Sequence, residues 1–250
     1  MKQRVDIHRH LTVLEQWVSL DPGCGEAWGR LGLVQSLVGR YERAAESLEK
    51  ALRLDPAPAV FWHGLGVALK ELGRFQEALP AACRAVELAP TQPEAWELLG
   101  TATALLGRHR EGAEHLREAE RIAPRRAKPA FMLGWVHVGL RELDVAAACF
   151  ERSLRLDPEQ PELWSPLGGC LLELGRPAEA LHVLETAVSV GPDDGCAWAR
   201  LGAAYEQLAR SEDAERAFQN ARDFGYEPPW SWNSAARYGK QRLAARERPS

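Results

Sequence analysis

The sequence predicts an all-α fold, a solenoid of tandem helical hairpins, from three recurrences that share one step of 34 residues. Prolines fall at Pro22, Pro56, Pro90, Pro124, Pro158 and Pro192. A Leu-Gly pair keeps the same step at Leu31-Gly32, Leu65-Gly66, Leu99-Gly100, Leu133-Gly134, Leu167-Gly168 and Leu201-Gly202. Three residues before each leucine stands Trp28, Trp62, Trp96, Trp164 or Trp198, with Ala130 in the fourth place. Proline cannot continue a helix and biases its predecessor away from helical angles, so each unit closes where the next begins.

Residues 1–24 have the pattern of the second half of a unit. His10, Leu14 and Trp17 stand where the next unit has Ala44, Leu48 and Ala51, and Ile7, Leu11, Leu14 and Val18 recur at helical spacing. This stretch is either an N-terminal capping helix, which covers the exposed core of an array, or the edge of a longer array cut inside a repeat. Six full repeats follow, 25–58, 59–92, 93–126, 127–160, 161–194 and 195–228. In each, a first helix ends near Gly39, Gly73, Gly107 or Gly175, where a left-handed residue is wanted. Arg141 and Ala209 replace that glycine in the fourth and sixth repeats, so those turns are expected to be strained or differently shaped.

The side-chain sizes predict how the helices pack. Gly32 lies opposite Ala44, and Ala44 has the counterparts Ala78, Gly112, Ala146, Ala180 and Ala214, so small residues let the two helices approach. Leu48, Leu116, Phe150, Leu184 and Phe218 then fill the space toward the next repeat. Pro80 should bend the second helix of the second repeat, where Ala82 and Cys83 leave it under-packed. Beyond Pro228 the period fades, and 229–250 reads as a last helix and tail with Arg237, Lys240, Arg242 and Arg246 toward water.

These residues at this step resemble the tetratricopeptide repeat family over almost the whole chain. The resemblance implies a right-handed superhelical α-solenoid, a concave surface lined by first helices, and a C-terminal solvating helix over 229–250. Apolar residues at 46% and charged residues at 26% suit a folded water-soluble chain. A net charge of −4 gives no case for nucleic acid, and no apolar run suggests membrane insertion. Five scattered cysteines, with no C-x-x-C, read as reduced packing residues. With no signal-peptide core in the first residues, the expected location is the cytoplasm. No H-E-x-x-H, G-x-S-x-G or phosphate loop occurs and the histidines are dispersed, so no catalytic residue, metal or cofactor is assigned and the chain reads as no enzyme.

The informative surface is the first-helix face. Residues one, five and eight after the tryptophan position point away from the packing stripe, and they place His63, Lys70, Glu97, Thr101, Phe131, Trp135, Val138, Gly169, Leu172 and Glu206 along a groove with an aromatic centre. Gly169, following Pro166 and Gly168, is expected to leave a recess beside Trp135, unless the indole swings over and fills it. Arg121, Arg125, Arg126 and Lys128 cluster nearby, either as a solvated turn or to steer an acidic partner. The lysine and asparagine set of a carboxylate clamp is missing where it would begin, and so is an asparagine ladder. The expected function is a non-catalytic scaffold or adaptor holding a protein or peptide segment in the concave groove. The alternatives are a self-associating platform in the form of a homo-oligomer, or the adaptor region of a larger enzyme.

Overall fold

A computed structural model describes residues 2–226. The helix expected over 229–250 lies outside them. The described residues contain helices and no strand. The helices fall into two compact units divided between Leu140 and Arg141.

The first unit begins with α1 (Lys2–Leu20), followed by hairpins α2 (Gly25–Leu37) with α3 (Tyr41–Leu54), α4 (Ala59–Glu71) with α5 (Phe75–Leu88), and α6 (Pro93–Leu105) with α7 (His109–Ile122). Helix α8 (Ala127–Gly139) completes it. Each helix packs on its neighbours in the chain, and the first helices α2, α4, α6 and α8 also touch in series, forming one continuous face. The second unit holds α9 (Leu143–Leu156), α10 (Trp164–Glu173), α11 (Pro177–Val190), α12 (Gly195–Gln207) and α13 (Ser211–Asp223), with α10 beside α12.

Hydrogen bonds account for the punctuation. The indoles of Trp28, Trp62, Trp96 and Trp198 donate to the carbonyls of Pro22, Pro56, Pro90 and Pro192 at 2.8–3.0 Å, which ties each first helix to the turn before it. Tryptophan and proline therefore recur together. Asp21, Asp55 and Asp157 accept from the backbone amide two residues on, past a proline that has none to offer. At the hairpin turns Gly39, Gly73, Gly107 and Gly175 take φ of 71–81°, and the next residue's amide reaches back five residues, as Arg40 does to Gln35. Arg141 and Ala209 adopt the same left-handed region at φ 61° and 58°. At Ala209 the closing bond survives, Arg210 N to Tyr205 O at 2.9 Å, so that turn is strained but has the usual shape.

The close contacts fall where small residues predict them. A methyl group at Gly32 would come within 3.0 Å of the Ala44 carbonyl, and one at Gly100 within 2.9 Å of the Gly112 carbonyl. Leu48, Leu116, Phe150 and Leu184 are fully buried. The two prolines within repeat helices are accommodated in different ways. Helix α5 runs unbroken through the exposed Pro80. Pro166 would have clashed with the carbonyl four residues back, and the chain responds with a 3-10 turn at Pro161–Leu163, so that α10 starts at Trp164, with Pro166 in a first turn that needs no amide.

Candidate functional site

The candidate surface is the first-helix face, built in the first unit by α4, α6 and α8. On α8, Trp135 is 47% exposed, and Phe131 and Val138 are half-buried on the same side. Thr101 on α6 sits beside them, its hydroxyl donating to the Glu97 carbonyl at 2.7 Å and lying 3.4 Å from Met132 Sδ on α8. His63 and Lys70 are half-buried on α4, with Lys70 ion-paired to Glu71. These side chains share one face because the first helices stack side by side.

Three of the expected groove residues lie elsewhere. Glu97 is 1% exposed, its carboxylate covered by Arg126 Nε at 2.7 Å and Lys128 Nζ at 3.2 Å. Neither oxygen has a well-aligned hydrogen bond, so the contact is one of charge. Glu97 is thus a structural anchor between repeats rather than a selector of polar ligands. In the second unit Leu172 is 7% exposed and belongs to the core, so it offers no anchor surface. Gly169 forms no open recess. The Arg200 side chain lies on it, within 3.0 Å of where a methyl would stand, and donates to Ser165 Oγ at 2.6 Å. Glu206 on α12 is half-buried, and burial pushes its carboxyl above the ordinary value.

The basic cluster is largely spoken for. Arg126 bridges Glu94 and Glu97, Lys128 joins it, and Arg121 pairs with Glu118 on its own helix. Sequence reasoning missed this network because its acids and bases lie about one repeat apart. The only trace was the coincidence of Glu94 and Glu97 with Arg126 and Lys128 at that step. Beside it, burial holds the His63 imidazole below its usual pKa, aided by Lys128 and Arg126 and opposed by Glu94. Among the described residues no cluster of three metal-ligating side chains occurs, and no helix is long and apolar enough to cross a membrane.

Comparison with known proteins agrees with this architecture. Tetratricopeptide repeat models match residues 11–57, 38–93, 63–127 and 131–181, and a second such model matches 171–230. The chain belongs to the tetratricopeptide repeat family, whose members are protein-interaction scaffolds and typically non-catalytic. Among solved structures it is similar to the APC/C hetero-tetramer Cut9–Hcn1, with a TM-score of 0.73 at 16% identity, covering 92% of this chain and 45% of that one. It is similar to PilF of Pseudomonas aeruginosa, with a TM-score of 0.71 at 20% identity over 87% of this chain and 97% of that one. It is also similar to TTC0263, a thermophilic protein of the same repeat class from Thermus thermophilus, with a TM-score of 0.58 at 26% identity over 77% and 100%. Among curated proteins none matches the sequence.

Proposed function

We propose that the chain is an adaptor that holds a polypeptide segment of a partner against the first-helix face, with Trp135 as the principal anchor. The observation that carries this reading is the large indole, 47% exposed, on a face otherwise built of half-buried residues. Aromatic side chains in such settings carry a disproportionate share of binding energy. Phe131 and Val138 extend the apolar strip, and Thr101 and Lys70 supply polar neighbours. The face is carried on stacked helices, which lowers the ordering cost of binding. The test is a random peptide library selected on the wild type and re-measured on Trp135→Ala. The selected peptides are expected to weaken by tenfold or more, about 1.4 kcal/mol, at unchanged helicity. Equal affinity for both proteins would reject the anchor.

A second reading, self-association through the α1 end, is favoured by one feature. Val13, Trp17 and Leu20 form a stripe along α1 at 56%, 36% and 85% exposure, although Ser47 and Ala51, one repeat later than the first two, are buried. Light scattering over a concentration series, with Trp17→Glu as control, decides it. A monomer at every concentration removes this reading.

A further inference from the structure

Near the N-terminal ends of the first helices, two successive junctions of the first unit differ in side-chain chemistry. Between α6 and α8 the chain places its own paired charges. Arg126, the residue before α8, reaches back to Glu94 and Glu97, with Lys128 beside it. One repeat earlier, 34 residues lower at every position, Gln92 and Glu94 replace Arg126 and Lys128, and Val60 and His63 replace Glu94 and Glu97. There the junction holds an open slot, a cavity of about 420 Å³. Its apolar lining includes Ala59, Val60, Ala85 and Ala89, with His63 and Glu94 at the wall.

We propose that this slot between α4 and α6 takes the phenolic side chain of a tyrosine from a bound polypeptide, a statement that rests on the reading that the first-helix face holds such a segment. At the neighbouring junction a long side chain, that of Arg126 at the cap of α8, lies at this position. The exchange of Glu94 and Glu97 for Val60 and His63 removes the carboxylates that hold a guanidinium there. Arg126 and Lys128 beside the slot are balanced by Glu94 and Glu97, so a charged guest would give up its water there without a free counter-charge. What remains is a neutral guest with an apolar body, for the alanine lining, and one polar tip, for the imidazole or the Gln92 amide. Burial keeps the imidazole uncharged at neutral pH, which suits it to a neutral hydroxyl.

The experiment titrates p-cresol, the tyrosine side-chain analogue, into the full chain carrying carbon-13 alanine methyl groups. Saturable shifts are expected at Ala85, Ala89 and Ala95 and at the His63 ring, with none from n-butylguanidinium or propionate. Ala89→Leu, which fills the slot, should abolish them. His63→Val leaves the slot open and should weaken p-cresol about fivefold, the worth of one neutral hydrogen bond, while leaving toluene unchanged. Trp135→Ala should bind p-cresol as the wild type does, so failure of the slot and failure of the Trp135 anchor are read separately. Absence of saturation through the millimolar range, persistence of the shifts in Ala89→Leu, or equal binding of n-butylguanidinium overturns the proposal.

Discussion

Ala209 holds left-handed backbone at φ 58°, where a Cβ crowds the following carbonyl at a cost of about 1–2 kcal/mol. Glycine there relieves the crowding but adds about 0.4–1 kcal/mol of unfolded-state entropy. Ala209→Gly is therefore expected to raise stability by about 0.5–1 kcal/mol, seen as a higher urea midpoint at an unchanged slope. A lower midpoint would mean that the strain is illusory. His63 gives a prediction of opposite character. Its folded pKa lies below that of the unfolded chain, because burial, Lys128 and Arg126 outweigh Glu94. As pH falls through the ordinary imidazole value, about 6.5, the unfolded state binds more protons and stability is lost. Melting temperatures should fall more steeply with acid in the wild type than in His63→Gln between about pH 7.5 and about pH 5. Parallel curves would show that His63 titrates alike in both states.

At the scale of the helix pair, one hairpin departs from the others in a way that shows how the array compensates. Gly32, Gly100, Gly168 and Gly202 each lie under the residue sixteen positions on, Leu48, Leu116, Leu184 and Phe218, from their own second helix. In the α4–α5 pair that residue is Ala82, too short to reach. Leu98 of α6 comes across instead, with Cδ2 2.7 Å from where a methyl at Gly66 would stand, and is 4% exposed. The under-packing that Ala82 predicts is thus partly filled from the next repeat. Leu98→Ala should cost about 2–5 kcal/mol as an unfilled cavity. Ala82→Leu alone should cost about 1–3 kcal/mol by crowding Leu98. Combined, they restore the leucine-under-glycine arrangement of the other hairpins, so the double variant should be more stable than the sum of the two by at least about 1 kcal/mol. Additive losses in urea titrations would show that the two side chains do not share one space.

Across the whole molecule, the periodic features were legible in the sequence and the pairwise ones were not. Tryptophan and proline recur because an indole bonds a proline carbonyl, and glycines recur because a backbone passes close by or turns left-handed; each requirement leaves a residue type at a fixed step. The covering of Glu97 by Arg126 and Lys128, and of Gly169 by Arg200, depends on side chains present at one junction alone, and no recurrence marks them. Trp135 lies exposed where the helical step of α8 puts it, whereas Glu97 and the Gly169 recess are misplaced for want of that pairwise information, and Leu172 is drawn into the core. The same locality governs energetics, since a stacked array is stabilised by each repeat and its neighbours rather than by one central core. A methyl at Gly202 would meet the Phe218 ring at 2.6 Å, so Gly202→Ala should loosen the α12–α13 pair by about 1–3 kcal/mol. Native-state hydrogen exchange is expected to show that loss in α12 and α13, while amides of α2 to α5 keep their protection to within about 0.5 kcal/mol. An equal loss of protection in every helix would instead mean that the chain opens as a single cooperative body, and a nearest-neighbour description of its stability would fail.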